Sequence, residues 1–305
     1  MLIRRRTIMK LLLRPIILCS CLFPFLTDAA PPPSGNNTSS AQMTPLASDG
    51  LVRVRARAAL VLNLHSGEVI YQKNPMAQLP IASVTKLMTV LTFMNMNPDL
   101  DKRITVSRRD VYRANWTSLK YREKVYVRDL LHATLISSDN AAARALASAT
   151  GLTRNEFVAR MNQTAVSLGL LNSKFADPTG LDAGNVSTVV DCAALLWTAL
   201  QNDVILEILA KPSYSFRTNR RHHNIKTTNQ LLRNDDPELW EILGGKTGYI
   251  RKAGYCLVTR ARDSAGNDVV AVVLGGVSSR TRFADMRRLL HWGFQNIEQQ
   301  DRIGG

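Results

Sequence analysis

The chain has 305 residues, 45% of them hydrophobic and 21% charged, which excludes a disordered protein and leaves enough apolar material for a sizeable core without metal or disulfide. Its formal charge is +15, of which residues 1–29 carry +4, so the remainder holds about +11. A surplus of that size favours polyanionic surroundings: nucleic acid, a carboxylate-rich wall polymer or an anionic membrane surface.

In chain order, Arg4-Arg5-Arg6 and Lys10 form a basic front, followed by a broken apolar stretch from Leu11 to Leu26 and small residues at Thr27-Asp28-Ala29. Residues 1–29 therefore read as a signal peptide and the protein as exported and periplasmic, which opposes nucleic acid as a partner. Arg14 interrupts the apolar run, so no membrane-spanning helix of ~20 apolar residues is expected there. Residues 30–50, rich in Pro, Ser, Asn and Thr, read as a flexible linker, and residues 51–300 as the catalytic body. Cys19 and Cys21 fall in the leader. Cys192 and Cys256 sit in apolar contexts and read as free, buried thiols.

Ala58–Leu62 and Gly67–Tyr71 are short strands around His65-Ser66-Gly67, a hairpin signal. A helix is expected from about Ser83 to Met94, a short strand at Ile104–Val106, a helical block over Val127–Leu168 and a helix over about Thr188–Gln201. Strands follow at Leu243–Thr247, Tyr255–Arg260 and Val269–Leu274, then an amphipathic helix from Arg280 to Ile297. Strands at both ends with helices between predict an α/β (α+β) fold: one mostly antiparallel sheet, closed when the termini meet, flanked by helices with an inserted helical region. The stretch Arg217–Lys226, with His222-His223, is expected to be a solvated or polymer-contacting surface.

Three short motifs carry candidate chemistry. Ser83-Val84-Thr85-Lys86 opens an apolar helix. A serine there is ordinarily an N-cap, but a lysine at i+3 shares its face. In a poorly solvated place that lysine has a lowered pKa and can take the hydroxyl proton. Ser138-Asp139-Asn140 lies between an apolar run and a small-residue helix, and suits either a helix cap or a proton relay at Ser138 beside a substrate-binding amide at Asn140. Gly244-Gly245-Lys246-Thr247-Gly248 looks like a nucleotide loop, but position 240 is Trp240 where that loop needs glycine. On a strand edge it offers a cation, a hydroxyl and close backbone approach at Gly248.

The ordered set Ser-x-x-Lys, Ser-Asp-Asn, Lys-Thr-Gly is the one shared by penicillin-binding proteins and class A β-lactamases. The chain resembles low-molecular-mass penicillin-binding proteins of the D-alanyl-D-alanine peptidase family, with a β-lactamase/transpeptidase-like fold. The resemblance covers roughly residues 50–300, including Phe175–Leu181 and Asn185–Thr188. It looks closest to the D-alanyl-D-alanine endopeptidase branch through Ala82–Thr89, Ser137–Ala142 and Lys246-Thr247-Gly248-Tyr249. The resemblance implies a catalytic set of Ser83, Lys86 and Ser138, and substrate contacts from Asn140, Lys246, Thr247, Gly248 and Tyr249. Backbone N–H groups of Ser83 and Tyr249 would form the oxyanion hole. It implies no cofactor or metal, peptidoglycan stem peptides as substrate, β-lactam antibiotics as covalent inhibitors, and peripheral contact with wall or membrane. A D-alanyl-D-alanine carboxypeptidase is the alternative. A class A β-lactamase would need a Glu-x-x-Leu-Asn segment between Ser138 and Lys246, and none is present. A β-lactam-binding protein that acylates without turnover is the remaining reading.

Overall fold

Gly, Pro and charged residues cut the sequence into many short elements, and their order explains how distant motifs meet. The computed structural model describes residues 52–233 and 240–304; the leader and the linker assigned to residues 1–29 and 30–50 lie outside them. Chain order is β1 (Ala58–Asn63), β2 (Val69–Lys73), β3 (Leu79–Pro80), α1 (Thr85–Met94), β4 (Arg103–Thr105), α2 (Arg108–Val111) and β5 (Lys124–Tyr126). Next come α3 (Val127–Leu135), α4 (Asn140–Ala149), α5 (Arg154–Ser167), β6 (Val186–Ser187), α6 (Val189–Ala199) and α7 (Asp203–Leu209). The remainder is β7 (Ser213–Arg217), β8 (His222–Lys226), β9 (Glu241–Ile250), β10 (Gly254–Arg262), β11 (Asp268–Gly276) and α8 (Ser279–Gly304).

Five strands form one antiparallel sheet in the order β2-β1-β11-β10-β9. The first and last strands of the body pair directly, Ala58 with Leu274 and Asn63 with Val269, so the expected closure by the two ends is what the chain does. Period-2 alternation then divides the side chains. Ala59, Val61, Leu257, Val269, Ala271 and Val273 face α8, through Phe283, Met286, Leu289, Leu290 and Phe294. Ala58, Leu60, Cys256, Val258, Val270, Val272 and Leu274 face the helical side. With both faces covered, β11 is buried along its whole length.

At the middle of the helical side lies α1, whose residues Thr85–Phe93 are all buried. A helix buried all round has no solvent face to which a polar side chain can turn. Lys86 is therefore enclosed with its neighbours and fully inaccessible.

The helical block expected over Val127–Leu168 is three helices. The first break is the turn before Asp139, which caps α4 by accepting from Ala142 N at 2.9 Å. The second is Gly151, followed by a Thr153–Glu156 capping box that starts α5. The elements α2, α7, β5 and the β7–β8 hairpin are additional to the sequence expectation; each is short, and their periodicity is hidden among charged residues. The hairpin corrects the view of Arg217–Lys226 as solvated surface only. Alternation on β8 leaves His222 outside and buries His223 against the inaccessible Glu123 (Nε2···Oε2 3.1 Å), which Arg221 also pairs at 2.7 Å. Cys192 and Cys256 are free and buried, and burial pushes their thiols up to about 12 and about 11. Among the described residues no single helix is long and apolar enough to cross a membrane.

Candidate active site

The three sequence motifs converge on one cleft of about 660 Å³, whose lining includes Ser83, Ser138, Asn140, Thr247, Gly248 and Tyr249. Each motif resolves into residues that build the fold and residues that face the cleft.

Ser83 lies inside a 3₁₀ turn, Ala82–Val84, that runs straight into α1, and neither helix start has a side-chain cap. The hydroxyl is therefore not spent on the backbone. Ala82 holds a positive φ of 48°, a strained conformation for alanine that tightens the turn ahead of the serine. The turn is fixed by close packing from two sides. Gly180, at φ 81°, sits so near that a Cβ there would lie 1.9 Å from the Ala82 carbonyl oxygen, and one at Gly248 would lie 2.7 Å from Ile81 O and 3.0 Å from Ser83 N. Glycine at both positions lets a loop and strand β9 close on the serine turn.

Lys86 Nζ donates to Asn140 Oδ1 at 2.8 Å and to the Thr179 carbonyl at 2.7 Å, and lies 2.8 Å from Ser83 Oγ. Burial pulls its pKa down to about 7, against the opposing pull of Asp177 and Asp139. A neutral amine has two N–H groups and one lone pair. With both hydrogens given to Asn140 and Thr179, the lone pair is directed at the Ser83 hydroxyl. This is the geometry of a general base holding its nucleophile.

In Ser138-Asp139-Asn140 the cap and the chemistry belong to different residues. Asp139 is structural: besides capping α4 it accepts from Thr117 Oγ1 at 2.9 Å and Ser118 N at 2.7 Å. Ser138, at φ 61°, turns its hydroxyl to Lys246 Nζ at 2.9 Å. Asn140 reaches Lys86 on one side and donates Nδ2 to the Ala114 carbonyl at 2.6 Å on the other.

Lys246, Thr247 and Gly248 lie on β9. Lys246 is 1% exposed, and its Nζ donates to Ser138 Oγ and to Thr247 O at 3.1 Å. Burial, then the nearby Lys86 and Arg282 charges, holds its pKa well below the ordinary lysine range. It stands behind the cleft wall, joined to it by the hydrogen bond to Ser138. Beside Ser83 and Ser138, the cleft is lined by Thr247 and Thr228, whose Oγ1 atoms lie 2.6 Å apart. Tyr249 stands at the rim, half exposed, stacked on Tyr255 at 4.2 Å.

Four contributors were not found by reading the motifs. Thr179 supplies only its carbonyl, so its side chain gives no signal. Its loop is organised by Asp177, which accepts from the backbone N–H of Thr179 and Gly180 at 3.0 Å each. Thr228 has no sequence signal. Trp116 is 64% exposed in the cleft rim, with its indole N–H on the Ser137 carbonyl at 2.8 Å. Arg282 is buried and donates to the Gly248 and Cys256 carbonyls at 3.3 Å each. Burial lowers its pKa to about 10. Its signal was available, since an arginine beside Phe283 on the apolar stripe of α8 is out of place. Among the described residues no group of His, Cys, Asp or Glu is arranged to hold a metal.

A family model described as D-alanyl-D-alanine carboxypeptidase matches residues 41–278. A D-alanyl-D-alanine endopeptidase of Pseudomonas aeruginosa is 35% identical over 239 residues, covering 77% of this chain and 76% of the relative. An Escherichia coli protein of the same name is 32% identical over 243 residues, covering 78% and 77%. Among solved structures, a D-alanyl-D-alanine carboxypeptidase from Mycobacterium tuberculosis superposes with a TM-score of 0.75 at 28% identity, covering 82% of this chain and 95% of that one.

Proposed function

The chain belongs to the D-alanyl-D-alanine carboxypeptidase family of serine peptidases, and from that premise we propose that it is a D,D-endopeptidase of peptidoglycan cross-links working through an acyl-enzyme on Ser83. The observation that carries the mechanism is the buried Lys86 amine, held by Asn140 Oδ1 and the Thr179 carbonyl and 2.8 Å from Ser83 Oγ. In acylation, Ser83 Oγ attacks the D-alanyl carbonyl carbon and its proton passes to Lys86 Nζ. The carbonyl oxygen becomes an oxyanion, received by the backbone N–H groups of Ser83 and Tyr249; the close packing of β9 on the serine turn at Gly248 supports this pair. The C–N bond then breaks. The leaving amine takes the proton that Lys86 received, relayed through Ser138, which is held in place by Lys246 Nζ, and Lys86 returns to its neutral form. Water, deprotonated by the same base, cleaves the ester and restores the Ser83 hydroxyl. Thr247 and Thr228 receive the carboxylate next to the scissile bond, with Lys246 as the charge behind them, and Asn140 receives a substrate amide.

The endopeptidase reading is supported by the names of the Pseudomonas aeruginosa and Escherichia coli relatives. The carboxypeptidase alternative is favoured by the description of the family model and by the Mycobacterium tuberculosis neighbour. Residues 1–29 act in this proposal as the export signal to the periplasm, residues 30–50 as a tether and 51–300 as the catalytic body. Attachment to wall or membrane is electrostatic, and salt releases the protein.

Two measurements test the proposal. Labelled penicillin, whose strained amide mimics the D-alanyl bond, is expected to attach to Ser83; a Ser83→Ala variant that still labels refutes the nucleophile. Purified enzyme is expected to split cross-linked muropeptide dimers. Release of free D-alanine from monomeric pentapeptides with dimers left whole would establish the carboxypeptidase instead.

A further inference from the structure

A second cavity, of about 680 Å³, shares with the catalytic cleft the segment Tyr112–Trp116. Tyr112 and Arg113 line the second cavity, and Asn115 and Trp116 line the cleft. Four arginines surround the second cavity, Arg109, Arg113, Arg144 and Arg154, against two acids, Asp110 and Asp177. Both acids are already engaged. Asp110 closes the capping box of α2 with Ser107 and accepts from Ser148, and Asp177 organises the loop that presents Thr179. Among the described residues no carboxylate lies within ion-pair distance of any of the four guanidiniums. Arg109, Arg113 and Arg154 are solvent-exposed, while Arg144 is fixed by donating to the Tyr112 carbonyl at 2.6 Å and the Asp110 carbonyl at 3.2 Å. Four cations against two carboxylates leave the cavity with a net positive charge, which favours an anionic ligand.

The dividing segment is held by α4 at alternate carbonyls. Arg144 takes Tyr112 O, Asn140 Nδ2 takes Ala114 O, and Asn140 N takes Trp116 O at 2.9 Å. Between them Arg113 and Asn115 adopt left-handed φ values of 48° and 54°. Asn140 and Arg144 stand one helical turn apart, so the residue that reaches Lys86 and the residue that lines the arginine cavity grip the same strip of chain.

From this juxtaposition we propose that the arginine cavity is an exosite for the carboxylates of the wall peptide whose cross-link lies in the cleft, an inference that rests on the peptidase reading above. A peptide strand advances about 3.4 Å per residue when extended, so a carboxylate-bearing strand leaving the cleft over the exposed Tyr112–Trp116 ridge reaches the cavity within a few residues. Guanidinium forks match carboxylates bidentately. A cross-linked substrate offers more such carboxylates than a small peptide, and a β-lactam offers none beyond the cleft. These contacts are made equally in ground and transition states, so their loss appears in KM more than in kcat.

The test is a double variant, Arg109→Gln with Arg154→Gln, both at exposed positions and clear of the cleft, assayed against three probes. The first is cross-linked muropeptide dimers with free carboxylates. The second is dimers amidated at carboxylates away from the scissile bond, and the third is labelled penicillin. The expected result is a rise of about tenfold in KM for the free-acid dimers, with little change in kcat, and unchanged constants for the amidated dimers and for penicillin acylation. Equal KM values of the wild-type enzyme for free-acid and amidated dimers, or an equal loss on both in the variant, overturns the exosite. Cosedimentation with phosphatidylglycerol vesicles that falls in the variant while dimer kinetics stay unchanged would assign the cavity to lipid phosphate and overturn it equally. If wild-type enzyme is not acylated by penicillin at Ser83, the failure lies with the peptidase reading and not with the cavity.

Discussion

The two faces of the five-stranded sheet are built on opposite terms. The face under α8 is packed with Ala59, Val61, Leu257, Ala271, Val273, Phe283, Leu289 and Leu290, and the two buried charges of α8, Asp285 and Arg282, are tied to backbone groups, Asp285 accepting from Ala56 N and Arg282 donating to the Gly248 and Cys256 carbonyls. On the helical side the interior also holds Lys86, Lys246, Asp139, Asn140 and Asp177, each buried and hydrogen-bonded, and two residues at its cleft edge, Ala82 and Ser138, have positive φ. Burying a cation and holding a left-handed alanine are both unfavourable to folding. The α8 face supplies stabilisation that the catalytic side draws down.

The largest expected effect separates the two sides from the catalytic end. Lys86→Arg is expected to lower the second-order rate of penicillin acylation by about a thousandfold, because guanidinium stays charged and cannot accept the serine proton. Circular dichroism checks that the fold survives, and wild-type acylation in the variant would mean another base. Phe283→Ala works from the other end. It should cost about 3–5 kcal/mol of unfolding free energy in urea while leaving the acylation rate of the folded fraction near wild type. A fall in rate larger than the fall in folded fraction would show that the two faces are not separable.

Gly180→Ala sharpens the comparison at the point of contact. A Cβ at this position meets the Ala82 carbonyl at 1.9 Å, so the serine turn must shift, and a loss on the order of tenfold to a hundredfold in acylation is expected with a smaller change in melting temperature. The mildest effect is in pH. With Lys86 titrating near 7, about a tenth of it is neutral at pH 6 and about nine tenths at pH 8. Acylation should therefore rise about tenfold over that interval. The stability sign runs the same way: the folded pKa lies below the unfolded value, so between pH 7 and the ordinary lysine range the unfolded chain binds the extra proton and stability climbs with pH. A flat rate profile from pH 6 to 8 contradicts the assignment of the base.

The same contrast decided what could be seen in the sequence. The α8 face was legible because its apolar residues recur at the period of a strand or a helix, as in Val269–Leu274 and in Phe283, Met286 and Leu290. Ser83, Lys86 and Lys246 were legible as motifs because the proposed chemistry requires fixed spacing. What stayed hidden were groups whose contribution has no side-chain identity or no local spacing. The Thr179 carbonyl is one, the Thr228 hydroxyl brought in by the β7–β8 hairpin is another, and the arginines set beside the cleft by α2, α4 and α5 are a third. Within the helical block the turn at Ser138-Asp139-Asn140 was legible as a cap ahead of a small-residue helix, whereas the break at Gly151 and the Thr153–Glu156 capping box was not.

The pairing of β1 with β11 also fixes when the enzyme comes into being. Ala58 cannot find Leu274 until more than two hundred residues of intervening chain have been made, and contacts of that separation form late. Ser83, Lys86, Ser138 and Asn140 all precede position 141, whereas Thr247, Gly248 and the Arg282 behind them belong to the last quarter of the chain. A nascent chain thus carries Ser83 and Lys86 well before it has the β9 wall that packs against them. The cleft is complete only when the last-made strands close on that early turn.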